Sequence, residues 1–159
     1  MDDPVKISLL KDEYLLLQKF YEDFDSRMIT IKGWSASIAI AAIGAGFFNS
    51  PYLWLFASGA SLIFWCLEAL WKSFQYMYGP RIQEIEEAFS SDDFSEISPL
   101  QIYSSWFDVF QETGFAVFSS MRLGIVAFPH AVTFITGITL FCAYALDLLP
   151  PLSPITPRG

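Results

Sequence analysis

The chain has 159 residues, of which 53% are hydrophobic, 18% aromatic and only 16% charged, against the ~25% charge of an ordinary soluble domain. Its net charge is -8 and it has no cluster of Lys and Arg, which argues against nucleic-acid binding through phosphate contacts. These totals describe a small all-α integral membrane protein with no zinc-type His/Cys cluster, since it holds one histidine and two cysteines.

Residues 1–28 read as an amphipathic helix facing the cytoplasm. Asp2 and Asp3 ahead of Pro4 suit a helix start. Ile7, Leu10, Tyr14, Leu17, Tyr21, Phe24 and Met28, continued by Ile31, follow an unbroken alternation of three- and four-residue steps, which is a heptad seam. Such a seam suits a coiled-coil contact with a second subunit. Leu9, Leu15, Leu16 and Phe20 widen the apolar face, which suits equally a helix packed on the chain's own cytoplasmic segment. Charge throughout this stretch leaves no secretory h-region, so the first span is expected to direct insertion. No breaker separates the seam from that span.

Residues 29–71 read as a two-span hairpin. Gly33 to Phe48 carries no charge, and its only polar side chains are Ser35 and Ser37. Asn49-Ser50-Pro51 is turn chemistry. Tyr52 to Trp71 is apolar except for Glu68 and two serines, long enough at ~30 Å to cross one hydrocarbon core. Gly33, Ser37, Ala41 and Ala45 form one small-xxx-small row, and Ala42 with Gly46 another; such rows let helix backbones approach closely in lipid. Ala57 and Ser61 offer a matching flat, so the rows are expected to pack the hairpin on itself. Ala36, Ala39 and Gly46 form a second small face suited to a neighbouring subunit.

Residues 72–122 read as a cytoplasmic helical segment. Gly79-Pro80 should break the second helix. Arg81 to Phe89 resumes it, with Ile82, Ile85 and Phe89 on one side, and Ser90 to Ser98 reads as a solvated acidic loop. Ser98-Pro99-Leu100-Gln101 has the pattern of a capping box with Pro at the first helical position. Leu100, Tyr103, Trp106, Phe107 and Phe110 then make an apolar stripe, suited to the membrane surface or to docking on the amino-terminal helix. The third span is expected over residues 123–149, ended by Pro150, Pro151 and Pro154, with residues 150–159 an external tail. Cys66 and Cys142 fall in spans, in opposite leaflets and too far apart for a disulfide, and read as packing residues. The whole chain is expected to form one module.

Eight basic residues (Lys6, Lys11, Lys19, Arg27, Lys32, Lys72, Arg81 and Arg122) fall on one side of this three-span topology and Arg158 alone on the other. That bias predicts a cytoplasmic amino terminus and an external carboxyl terminus in a bacterial inner membrane.

Ionisable groups at lipid depth are the candidate functional residues, because desolvation there is costly unless they are paired. Glu68 falls ~6 Å and His130 ~12 Å inside the inner boundary at the helical rise, and Asp147 lies at the outer end of the third span. If the second and third spans touch, Glu68 and His130 meet as a proton- or ion-sensitive pair. Otherwise Glu68 snorkels toward Lys72, and His130 bonds a carbonyl freed by Pro129. A single histidine inside a span leaves no Ser-His-Asp logic. Asp92, Asp93 and Glu96 lack a calcium-loop pattern. No catalytic residue, metal site or cofactor is predicted.

Asp25-Ser26-Arg27 followed by Thr30-Ile31-Lys32-Gly33-Trp34-Ser35 resembles a juxtamembrane signature of small bacterial multi-pass membrane proteins of unassigned function. The outline of amphipathic helix, tight hairpin and cytoplasmic extension is similar to that of SLATT-type effectors of bacterial nucleotide-signalling and defence systems. The likeness covers roughly residues 10 to 85; the third span departs from the two-span plan. The resemblance implies a pore that damages the host membrane, and carries over no ligand-binding residue. The functional expectation is a homo-oligomeric channel or membrane-perturbing effector, gated through its cytoplasmic helices, with Glu68 attracting cations at the inner mouth. The alternative is a non-catalytic anchor that docks a soluble cytoplasmic protein.

Overall fold

A computed structural model describes residues 4–149. Asp2, Asp3, the three terminating prolines, Arg158 and the tail lie outside the described residues. Those described form helices joined by turns, with no strand among them: α1 (Pro4–Gly46), α2 (Tyr52–Tyr76), α3 (Gly79–Ser91), α4 (Ile102–Thr113), α5 (Val117–Met121) and α6 (Gly124–Ala145). α1, α2 and α6 are long and apolar enough to cross a membrane. The chain divides into two compact units rather than the single module expected. One comprises Met1–Met28 and Leu70–Val117, the other Ile29–Ala69 and Phe118–Gly159.

The first, more polar unit has its core where α1 meets α3. Leu10 and Leu17 are fully buried against Ile82, Ile85 and Ala88, with Ile7, Tyr14 and Tyr21 packed partly against them. The heptad face is thus occupied within the chain, and Leu10 and Leu17 are not on offer to a second subunit. Phe94 and Ile97 join the same core, so the segment read as a solvated acidic loop is tied down by two apolar anchors.

A buried ion pair crosses this core. The Arg81 guanidinium forks onto Glu13, with Nε donating to Oε1 at 2.9 Å and Nη2 to Oε2 at 3.2 Å. It also donates to Glu84 at 2.7 Å and to the Ser98 carbonyl at 2.6 Å. Burial alone would lower the Arg81 pKa. Hydrogen bonds and charges from Glu13 and Glu84 outweigh it and hold the group above its ordinary value.

Glu13 Oε2 accepts a further 2.6 Å bond from the Leu100 backbone N–H. That bond replaces the predicted capping box. Leu100 adopts a left-handed φ of 65°, and α4 begins only at Ile102, with no side-chain cap. The Ser98 carbonyl and the Leu100 N–H serve the ion pair instead. α2 ends at Tyr76 and α3 starts at Gly79, so the break falls on Met77-Tyr78, just before the expected dipeptide, with Pro80 in the first turn of α3.

In the second unit, α1 buries Ile31, Ser35, Ala39, Ala42 and Gly46. The Ala42/Gly46 row therefore packs inward. Gly33, Ser37 and Ala41 are exposed and Ala45 partly so, which corrects the expectation that both rows close the hairpin. Of the second small face, Ala36 is exposed while Ala39 and Gly46 are covered within the chain.

Trp54 is fully buried, and its indole N–H donates to the Ile43 carbonyl at 3.0 Å. The indole lies so close to Gly46 that a Cβ there would overlap the ring; a Cβ on Gly137 would come within 2.5 Å of the Trp54 carbonyl oxygen. Serines of α2 bind carbonyls of α6: Ser61 to His130 at 2.8 Å and Ser58 to Phe134 at 3.0 Å. α6 ends at Ala145, before the prolines expected to stop it. Asp147 takes a left-handed φ of 56°, and Leu148 N–H bonds the Ala143 carbonyl while Asp147 N–H bonds that of Tyr144, a Schellman closure. Cys66 and Cys142 are exposed, not packing residues.

Arg81→Met strands the Glu13 carboxylate. It should cost about 3–5 kcal/mol, read as a lowered unfolding midpoint in detergent, and Glu13→Leu in the same chain should recover most of the loss. Gly46→Ala should lower stability by about 1–3 kcal/mol through overlap with the indole. Gly33→Ala, which meets no atom within 4 Å, should not.

Candidate functional site

The second unit brings together the two groups that the sequence singled out. Glu68 on α2 is 0% exposed and His130 on α6 is 1% exposed, and His130 Nε2 lies 2.9 Å from Glu68 Oε2. α1 supplies both flanks. Lys32 Nζ approaches Glu68 Oε1 to 3.0 Å, as an ion-pair contact without hydrogen-bond alignment. Ser35 Oγ lies 3.2 Å from His130 Nδ1. The series Lys32–Glu68–His130–Ser35 therefore joins α1, α2 and α6.

Each helix places its member for a local reason. Lys32 and Ser35 are three residues apart and share one face of α1. On α2, Ser61 and Glu68 lie two turns apart on the face toward α6, so one face holds both the backbone of α6 and its imidazole. Pro129, inside α6, removes one backbone donor just before His130.

Both alternatives to an encounter of Glu68 and His130 are set aside by these contacts. Glu68 does not snorkel toward Lys72, whose ammonium bonds Gln75 at 2.6 Å and pairs with Asp25 at 3.4 Å. The His130 ring binds side chains, and it is the histidine's own carbonyl that accepts from Ser61. Nor is Glu68 an open ring of charge at a pore mouth, because both its oxygens are engaged within the chain. Asp147 takes no part and sits in the turn after α6.

The geometry defines the chemistry. With His130 neutral, Nε2–H donates to the carboxylate, Nδ1 accepts from the Ser35 hydroxyl, and Lys32 balances Glu68. A proton added to Nδ1 turns that acceptor into a donor and leaves the group with one excess positive charge. Proton uptake therefore changes both the hydrogen-bond polarity and the net charge of a buried site.

Ser35, His130 and Glu68 also stand in the order of a serine–histidine–acid triad, which the sequence reading had set aside. A triad acts on a carbonyl through free backbone donors nearby. All three residues lie inside helices, where backbone N–H groups bond carbonyls one turn back, and Ser35 is itself buried.

Lys32 and Ser35 were missed as site residues. In the structure Ser35 belongs to the inward stripe of Ile31, Ala39, Ala42 and Gly46 and Lys32 lies beside it, a placement that the α1 pattern alone does not reveal. Among the described residues no group of three or more His, Cys, Asp or Glu side chains could hold a metal ion. Comparison with protein-family models, curated proteins and solved structures gives no match.

Glu68→Gln and His130→Ala, made singly and together, should show a coupling of about 0.5–3 kcal/mol in a double-mutant cycle of unfolding in detergent. Strictly additive losses would mean that the carboxylate and the ring do not act on one another.

Proposed function

We propose that this protein is a non-catalytic, oligomeric channel or membrane-perturbing effector of a bacterial inner membrane, in which Lys32, Glu68, His130 and Ser35 form a proton- or ion-sensitive tie between helices. The observation that carries this reading is the complete burial of a carboxylate and an imidazole among three helices, each long and apolar enough to cross a bilayer. An ionisable residue in such a position is expensive, and its default role is functional. A bundle held by a titratable contact loosens when that contact is neutralised or overcharged. The exposed small face of Gly33, Ser37 and Ala41 suits close approach of a second copy. α1 supplies residues to both units, which supports gating by the polar unit. The similarity in outline to SLATT-type effectors points the same way.

A second reading, a membrane anchor for a soluble partner, is favoured by one feature of the polar unit. A cavity of about 450 Å3 carries Glu84, Glu96, Asp108 and Glu112 on its walls, which suits a basic partner segment.

Purified protein in liposomes separates the two. The channel reading expects ion flux that depends on pH and that Glu68→Gln or His130→Ala makes pH-insensitive. Absence of flux at any pH, with a soluble basic protein co-purifying, supports the anchor and discards the channel.

A further inference from the structure

Phe20, Phe24 and Arg27 recur at four- and three-residue steps along α1, with Asp23 beside them. Trp71 of α2 and Tyr78, in the turn before α3, face this stretch. The six side chains line a cavity of about 300 Å3 in the polar unit, at the lower end of the ~300–1,000 Å3 range of small-molecule sites.

Four of the six are aromatic, and their rings meet at an angle rather than stacked. Phe24 and Trp71 are 5.6 Å apart and inclined by 54°. Phe24 and Tyr78 are 5.9 Å apart at 43°, and Phe20 and Tyr78 6.2 Å apart at 53°. Rings that are inclined rather than stacked present faces as well as edges to the space they line. Those faces carry negative charge density and attract cations, and an aromatic cage is the usual receptor for an alkylammonium group. One wall already holds a cation: the Arg27 guanidinium carbon lies 5.8 Å from the Trp71 ring centre.

The rim supplies charges of both signs. Asp23 and Arg27 stand one helical turn apart and are exposed, yet among the described residues neither forms an ion pair. A purely apolar ligand would leave both idle. A simple cation would leave Arg27 opposed, and a simple anion would meet Asp23.

We propose that this cavity binds a zwitterionic phosphoammonium group, of the kind found in phosphocholine and phosphoethanolamine. The ammonium enters the aromatic cage beside Asp23, and the phosphate takes the Arg27 guanidinium. The group exists both as a lipid headgroup and as a soluble ester. Trp71 closes the apolar run that begins at Tyr52, a position at which tryptophan marks headgroup level. The site stands independently of any channel activity.

The test uses full-length protein in a maltoside detergent, which carries neither charge. In one arm, phosphocholine and phosphoethanolamine are titrated and followed by proton and phosphorus NMR, with choline (proton signal) and inorganic phosphate (phosphorus signal) as fragments. In the other, protein is extracted from vesicles of equal phosphatidylethanolamine and phosphatidylglycerol, and retained lipid is measured by native mass spectrometry. The intact zwitterion should bind saturably, with each fragment at least about tenfold weaker. Asp23→Asn and Arg27→Gln, both on the surface, should each weaken it about tenfold, the scale of one desolvated charge or cation–π contact. Trp71→Phe should retain more binding than Trp71→Ala. Saturable binding of the soluble esters assigns a free ligand, and selective retention of phosphatidylethanolamine assigns a lipid; either supports the site. Absence of both, or binding unchanged in the two charge variants with their helical melting intact, overturns it.

Discussion

A carboxylate withdrawn from water must be answered by positive charge or hydrogen-bond donors, and this constraint fixes the arrangement of each unit. Glu68 is answered by Lys32 and His130, so α1, α2 and α6 are held at the distances that permit those contacts. Glu13 is answered by Arg81 and by the Leu100 N–H, so α1, α3 and the start of α4 are likewise set. In both units the apolar packing follows the same geometry. Leu10, Leu17 and Ile85 fill the space around one pair, and Trp54, Gly46 and Gly137 interlock in the bundle that holds the other. Pairs of this kind contribute little net stability over well-packed hydrophobic residues. What they add is intolerance of any arrangement that strands one member.

The two carboxylates differ in what they can do. Glu13 meets a guanidinium that stays charged at any physiological pH, so that pair is fixed. Glu68 meets an imidazole, a group that can exist neutral or protonated, and a lysine that is partly exposed. One unit is thus built around a permanent bond and the other around a conditional one. This asymmetry is why the proposed proton-sensitive tie falls on the Glu68 contact and not on the Glu13 one.

Much of the fold was legible because it depends on period and length. The seam from Ile7 to Met28, the turn at Asn49-Ser50-Pro51 and the break at Gly79-Pro80 are local signals. What the seam packs against was not legible, since Phe94 and Ile97 lie in a stretch whose charge suggested solvent. The capping box failed for a related reason: Ser98 and Leu100 had a stronger use, and the competing partner Glu13 stands far away in sequence. α6 stopped early because an aspartate, Asp147, accepts the left-handed conformation in place of glycine. For the site, depth along the helix picked out Glu68 and His130, since both are rare in apolar runs. Lys32 and Ser35 were hidden by a fact that periodicity cannot supply, namely which face of α1 turns toward α2 and α6.

The polar unit is assembled from two stretches of chain with the whole hairpin between them. Its central bond therefore imposes an order on biogenesis. When Glu13 leaves the ribosome its arginine has not been made, and by the time Arg81 emerges all of residues 29–69 have already been synthesised. Closure of this unit is thus a late event, one that must wait until every residue between its two stretches has been made.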